Sequence, residues 1–414
     1  MTFPWHIDVS LSRYIRRDLD LSLLMAVLCA MAIGITMIYS ATFNWDLGTA
    51  GSTYQKQIVW AFLAIIAMAV TMTIPLKHFY AFAYIIYGLA MAMLVLVLEF
   101  GNRRWLDLGP IHIQPSELAK IAVVLALARY LSSRNIDFRK IRTFAAPLLI
   151  VLLPGLLVYK QPDLGTALVF GAVVFPMLYW TGLKPVSIFF IVSPGLSLIS
   201  AFHPWSLGLL YLLMAVVIFY VRPRLATIAV LGAVNLTVSV GAPYILDNKL
   251  HDYQRNRILT FLNPDTDRLG SGYQVIQSKV AIGSGGLRGR GYLEGTQTKL
   301  AFLPEQHTDF VFSVVGEEFG FVGATTILML FLFMVWRALQ IATIVKSRFS
   351  SLVAIGLTSI LVFHIFVNIG MTIGVMPVTG LPLPFLSYGG SWLVMSCVLT
   401  GFLLNLHARR HEYY

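Results

Sequence analysis

Charge is scarce in this chain of 414 residues: only 12% are Asp, Glu, Lys or Arg, against 57% hydrophobic. A soluble domain carries about 25% charge, so this chain lacks the polar surface to cover itself in water. Cysteine is scarcer still. Cys29 and Cys397 both lie inside apolar runs, which excludes a disulfide framework and a CxxC metal site. HExxH and EF-hand patterns are absent as well. No metal site or cofactor is therefore readable, although a divalent cation stays open. A single basic patch is also missing. The net charge of +11 comes from short Lys and Arg clusters between apolar runs, so nucleic acid is not an expected partner. A cleavable signal is not convincing either, because Leu21–Tyr39 is too long for a signal core and reads as a first spanning helix.

What is present is a series of apolar runs of roughly bilayer length. Twelve candidate helices cover about 21–41, 56–75, 79–99, 117–131, 143–159, 164–181, 185–202, 205–221, 225–246, 309–336, 352–376 and 385–407. Breaks at His203-Pro204 and Arg222-Pro223-Arg224 divide the least regular stretch. Basic residues then set the orientation. Arg13, Arg16 and Arg17 precede the first helix, and Arg129, Arg134, Arg139, Lys140 and Arg142 follow the fourth. Further clusters are Arg222 with Arg224, Arg337 with Lys346 and Arg348, and Arg409 with Arg410. The intervening short loops hold fewer, so both termini are expected in the cytoplasm. The expected fold is an all-α polytopic membrane protein of about twelve transmembrane helices, one integral membrane domain over residues 1–414.

Residues 247–308 then form a long extracytoplasmic loop. Its eight Lys or Arg do not oppose that placement, because long loops translocate regardless of charge. A loop this long is usually functional. Eight glycines fall between Gly270 and Gly295, in GSGYQ, GSGGLRGRG and EGTQ. The stretch 273–282 has the pattern of a short interfacial helix. A disordered linker is the alternative, and the aromatic and aliphatic content argues against it.

The loop ends in Phe302-Leu-Pro-Glu-Gln-His-Thr-Asp309-Phe, directly before an apolar helix. Glu305, His307 and Asp309 alternate, so in an extended segment they would point to one side. Asp309 stands at the lip of the helix. Partial burial would raise its pKa and suit a general base, while a helix N-terminus would pull the other way. A plain capping role is the alternative. Gly316, Gly320 and Gly323 fall within about 40° of the Asp309 direction on that helix. They would leave a groove for a lipid chain, or a seat for a neighbouring helix. Glu317 and Glu318 sit deeper, and intramembrane carboxylates are functional candidates by default.

Arg255, Arg257, Lys279, Arg288 and Arg290 make the loop basic. Arg and Lys clamp phosphates, although a merely solvated loop would look similar. GSGGLRGRG lacks the order of a nucleotide P-loop. A second cluster runs from Asn102 through Arg104 and Asp107 to Glu117 and Lys120. Glu117 and Lys120 are three apart on a helix and can pair within the membrane. A third is Lys160-Gln161-Pro-Asp163-Leu-Gly-Thr166. Both are expected on the same side as the long loop.

The segments RRWLDLGPIHIQPSELAKIA, QPDLGTALV, HDYQRNRILTFLNPDTDRLGSGYQVIQSKVAIGSGGLRGRG, GTQTKLAFLPEQHTDFVFSVVGEEFG and FVNIGMTIGVMPVTGLPLPFLSYGGS follow one another between residues 103 and 391. They closely resemble the SEDS family of bacterial wall proteins (shape, elongation, division and sporulation), in its RodA branch. GTQTKLAFLPEQHTDF reads as the elongation version. The resemblance implies a peptidoglycan glycosyltransferase that polymerises lipid II on the outer face of the bacterial cytoplasmic membrane during elongation. The essential family aspartate of HTDF falls on Asp309. By that resemblance, Asp309 takes the proton of the GlcNAc 4-hydroxyl as it attacks C1 of MurNAc, and undecaprenyl diphosphate leaves. Cations for the leaving group would come from Arg104, Lys120, Arg255, Arg257, Lys279 and Arg288. Glu117, Asp163, Glu305 and His307 complete the candidate substrate-binding set. The resemblance also implies a class B penicillin-binding protein, a transpeptidase, as partner.

The family has ten spanning helices and twelve are counted here. The excess lies in 185–246 and implies an inserted helical hairpin, or re-entrant segments. Two other functions compete with the enzyme: a lipid II flippase, and a scaffold that recruits a penicillin-binding protein. A flippase needs charges along a path across the membrane, and here mid-membrane charge is sparse. A scaffold has no need of an isolated carboxylate beside cations.

Overall fold

The computed structural model describes residues 19–44, 49–100, 104–108, 111–133, 141–202, 204–248, 260, 271–299 and 305–413. Among the described residues are fourteen helices: α1 (Leu21–Ala41), α2 (Thr53–Thr73), α3 (Leu76–Phe100), α4 (Pro115–Leu131), α5 (Ile141–Lys160), α6 (Leu164–Trp180), α7 (Pro185–Ser200), α8 (Pro204–Val221), α9 (Leu225–Asn248), α10 (Ser271–Gly285), α11 (Thr296–Lys299), α12 (Val311–Ile344), α13 (Arg348–Thr372) and α14 (Gly390–Ala408). Two antiparallel hairpins add to them: β1 (Phe43–Asn44) with β2 (Thr49–Ala50), and β3 (Leu106–Leu108) with β4 (Ile111–Ile113).

Each of the twelve apolar runs forms a helix, so the chain is an all-α polytopic membrane protein. Eight helices are long and apolar enough to cross a membrane by length and composition; 145–160, 164–180 and 185–198 are apolar but shorter. In α4 nearly every residue is buried, including Glu117 and Lys120. A helix buried all round belongs in the middle of a bundle. Accordingly α4 packs on α3 and α13, while α2 packs on α14, and α12 lies between α1 and α13.

The chain divides into two compact units, one ending at Met177 and resuming at Tyr273, the other Leu178–Gly272. Inside the second unit α7 packs on both α8 and α9. Asn235 of α9 accepts from the Ser197 hydroxyl at 2.7 Å and donates to the Ser193 hydroxyl at 3.0 Å. Residues 185–248 thus form three helices, as counted from the apolar runs, and a polar contact joins α7 to α9, the kind of link that holds apolar helices together in lipid.

Three of the boundaries that differ from the apolar runs have a visible cause. α13 stops at Thr372 and α14 starts only at Gly390. The residues between them, Ile373–Gly389, are irregular because Pro377, Pro382 and Pro384 remove backbone donors and Phe385 has φ 65°. α12 runs past 336 to Ile344, because Arg337 does not end it. That guanidinium turns back to the Asp20 carboxylate at 2.7 Å.

α12 is also broken. Gly320 has φ 61° and ψ −156°, far from helical values. An unbroken helix would bond the N–H groups of Phe321 and Val322 to the carbonyls of Glu317 and Glu318. Instead the loop after α10 enters the gap. Arg290 N–H donates to Glu317 O and Gly291 N–H to Glu318 O, each at 3.0 Å. Phe321 N–H donates to Gly286 O at 2.9 Å and Val322 N–H to Leu287 O at 3.1 Å. These four freed groups have found partners, as a buried break requires. A Cβ at Gly289 would lie 2.1 Å from Glu318 O, and one at Gly320 would lie 2.3 Å from the Gly289 nitrogen. The glycines of GSGGLRGRG and GEEFG therefore fit each other. Gly316 likewise receives Ile282 of α10. The groove expected over Gly316 and Gly320 is filled by the protein's own loop.

Candidate functional site

Asp309 sits in a turn over residues 305–310, just ahead of α12. An extended segment with Glu305, His307 and Asp309 on one side does not form. Glu305 has φ 54°, and its carbonyl accepts the N–H groups of Thr308 at 3.2 Å and Asp309 at 3.1 Å. Phe310, not Asp309, occupies the N-cap position of α12. The carboxylate is half-buried, and a Cβ added to Gly380 would lie 3.4 Å from its Oδ2. From α13, Asn368 Nδ2 donates both to Asp309 O at 2.9 Å and to Leu381 O at 2.8 Å. Tyr388 N–H donates to His307 O at 2.9 Å. Burial lowers the His307 pKa below its usual value, against a weaker pull from Glu305. Glu305 itself is exposed and accepts from its own Thr308 hydroxyl.

Glu117 and Lys120 form the expected pair, 2.8 Å apart, and both are buried. The Lys120 ammonium also lies 3.2 Å from His364 Nε2 and 4.2 Å from the centre of the Trp392 ring. It is 1% exposed, so in this arrangement it acts inside the protein rather than at an open surface.

The second and third clusters come together. Arg104 is 3.7 Å from Asp163, and its guanidinium donates to Gln161 O and Pro162 O. Asp163 caps α6 by accepting Thr166 N–H at 3.1 Å and the Thr166 hydroxyl at 3.0 Å. Arg104 remains partly exposed while Asp163 is buried. Lys279 and Arg288 are exposed on α10 and the segment after it. Arg255 and Arg257 lie outside the described residues.

Residues 373–389 tie these groups into one site. Gly374 abuts the Lys279 side chain, Thr379 abuts Gly165 two residues past Asp163, and Gly380 passes Asp309. Leu381 O meets Asn368 and Pro382 O lies 3.2 Å from His364 Nδ1. The apolar reading of 352–376 and 385–407 missed this segment. Its signal was the Pro and Gly density, together with His364 and Asn368 four apart in an apolar run.

Glu317 and Glu318 have structural tasks. Glu317 accepts Gln297 N–H at 2.8 Å and Thr298 N–H at 3.2 Å, capping the single turn α11. Glu318 accepts from the Ser40 hydroxyl of α1. Beside them α1 and α12 line a partly open apolar cavity of about 740 Å³, whose walls include Ile33, Met37, Phe319, Gly323 and Arg288. Among the described residues no cluster of three His, Cys, Asp or Glu could hold a metal ion.

A half-exposed carboxylate, a neutral-leaning histidine and partly exposed cations around one loop suit proton removal beside a developing negative charge. Comparison with known proteins gives the family. The family model of the FtsW, RodA and SpoVE cell cycle proteins matches residues 20–207 and 205–412. The chain is 35% identical over 397 residues to peptidoglycan glycosyltransferase MrdB of Escherichia coli, covering 95% of this chain and 94% of the relative. It is 34% identical to peptidoglycan glycosyltransferase RodA of Treponema pallidum, over 95% and 98% of the two chains. A solved peptidoglycan synthase complex, described as coordinating polymerization and crosslinking, contains a chain similar at TM-score 0.70 and 33% identity over 95% and 99% of the lengths. The crystal structure of Thermus thermophilus rod shape determining protein RodA is similar at TM-score 0.63 and 27% identity, over 96% and 99%. The chain belongs to the FtsW/RodA/SpoVE family of cell cycle proteins.

Proposed function

We propose that this protein is a peptidoglycan glycosyltransferase of the elongation type, polymerising lipid II on the outer face of a bacterial cytoplasmic membrane. The carrying observation is the placement of Asp309: a half-exposed carboxylate, outside the cap position of its helix, walled by Gly380 and held through its own carbonyl by Asn368.

The reaction joins the 4-hydroxyl oxygen of GlcNAc on one substrate to C1 of MurNAc on the other, and breaks the bond from C1 to undecaprenyl diphosphate. Asp309 accepts the hydroxyl proton during attack. The leaving diphosphate gains negative charge as the bond breaks, and fixed cations stabilise that charge more in the transition state than before it. Among the described cations, Arg104, Lys279 and Arg288 have exposed charge to offer. Lys120, buried against Glu117, supports the site from within. The apolar cavity, with Arg288 as the charged residue of its lining, suits a polyprenyl chain whose diphosphate meets that guanidinium. The solved synthase complex supports a partner in crosslinking, and the fitting class is a class B penicillin-binding protein.

Purified protein given lipid II, alone and with such a transpeptidase, tests this reading. It predicts glycan polymer that a muramidase degrades. A preparation that makes no polymer in either condition but moves lipid II across liposomes would establish the flippase reading instead.

A further inference from the structure

His364 has no part in the chemistry above, yet it is 0% exposed and both of its ring nitrogens have partners. Nδ1 lies 3.2 Å from Pro382 O. A carbonyl only accepts, so Nδ1 carries a proton. Nε2 lies 3.2 Å from Lys120 Nζ. An ammonium only donates, so Nε2 offers its lone pair. The geometry therefore requires a neutral imidazole with its proton on Nδ1.

Three partners aim the Lys120 ammonium. Glu117 Oε2 is at 2.8 Å, His364 Nε2 at 3.2 Å and the Trp392 ring centre at 4.2 Å. His364 also stacks on Trp392 with ring centres 3.8 Å apart, which fixes the imidazole plane. One turn further along α13, Asn368 holds Asp309 O and Leu381 O. His364 and Asn368, four apart, thus grip the consecutive carbonyls of Pro382 and Leu381. The next residue back is Gly380, beside the Asp309 carboxylate. The buried Glu117–Lys120 pair and Asp309 are referenced to the same two residues of one loop.

We propose that His364 is a positioning residue of this enzyme. As the neutral Nδ1–H tautomer it fixes Lys120 through Nε2 and joins the Glu117–Lys120 pair to the loop that walls Asp309. It touches no reacting atom. The kinetic consequence rests on the glycosyltransferase reading, whereas the tautomer does not.

Three substitutions separate its two contacts. In His364→Gln the amide oxygen can replace Nε2 as acceptor for Lys120. In His364→Asn the amide nitrogen can replace Nδ1 as donor to Pro382. His364→Leu keeps the volume and neither bond. Lipid II polymerisation by the purified variants should show His364→Gln, which keeps the Lys120 contact and loses the Pro382 one, reduced least of the three. His364→Asn and His364→Leu should lose roughly 10–100-fold in kcat, the scale of a misplaced supporting group, with KM for lipid II unchanged. The proposal is overturned if His364→Leu matches His364→Gln, if His364→Asn is the variant that recovers, or if only KM moves. Nitrogen NMR of histidine-labelled wild-type protein decides the matter where variants fail to fold. With His364 assigned through Phe363 and Ile365, Nδ1 should be protonated and Nε2 bare; a doubly protonated ring or an Nε2–H tautomer overturns the proposal. Inactive wild-type protein would defeat the glycosyltransferase reading and leave the tautomer result standing.

Discussion

Asp20 and Glu117 are buried carboxylates that meet their cations in different ways. Asp20 accepts from the Ser22 hydroxyl at 2.6 Å, from Leu23 N–H at 3.1 Å and from Arg337 at 2.7 and 3.1 Å. Burial alone would raise its pKa, but these donors together hold it below the usual 3.8. A depressed pKa stabilises the fold above the unfolded value, and the stabilisation fades as pH falls through the folded one. Asp20→Asn should therefore cost stability at neutral pH, about 1.5–3 kcal/mol for bonds to a charged group. The difference from wild type should shrink below the unfolded Asp pKa. Thermal unfolding in detergent at both pH values checks this, and a pH-independent difference would assign Asp20 to helix capping alone. Glu117 relies on Lys120 instead. Removing one partner strands the other in a buried site, at about 3–5 kcal/mol. Either single alanine substitution should reduce folded protein more than the double substitution does. Additive losses in the double-mutant cycle would mean the two are independent. The pairing was legible from their spacing, but His364 and Trp392 were not. They come from α13 and α14, far along the chain, and contact between distant helices leaves no local pattern.

At the scale of elements, apolar run length located every long helix, because backbone groups in lipid have few other ways to be satisfied. It failed where backbone bonds are made by a distant segment. The break in α12 depends on Arg290 and Gly291, whose N–H groups replace those of residues 321 and 322. The residues 373–389 are apolar enough to read as helix ends, yet prolines and a contact to Asp309 keep them irregular. The break gives a sharp test. Gly289 has φ 80° and no room for a Cβ beside Glu318 O. Gly289→Ala should cost about 1–3 kcal/mol from backbone strain, with more from the clash. Gly283, where a Cβ meets nothing within 4 Å, is the control. Gly283→Ala should unfold near the wild-type temperature and Gly289→Ala well below it. Equal melting of the two variants would show that loop insertion contributes nothing to stability.

For the whole molecule, the account requires the candidate site to face outward. In a background with Cys29 and Cys397 replaced by serine, a cysteine at Ser271 should react with an impermeant thiol reagent in intact cells. One at Ser133 should not, if the alternation of basic loops sets the orientation as the positive-inside rule predicts. The reverse labelling would put Asp309 on the side without polymeric product. Much of the site was legible because its motifs are contiguous: Asp309, the Glu117–Lys120 pair and Asp163 can each be named from local sequence. Their assembly was not, since it depends on the segment 373–389. The central claim is that this chain makes glycan with Asp309 as its base, and Asp309→Asn tests it most directly. The change is nearly isosteric, so fold and substrate binding should persist, while an amide accepts no proton at neutral pH. Loss of a general base is typically worth ~10²–10⁴ in rate. Purified Asp309→Asn should melt like the wild type, bind lipid II and its transpeptidase, and give no visible polymer on a gel; polymer at a near wild-type rate would contradict the account.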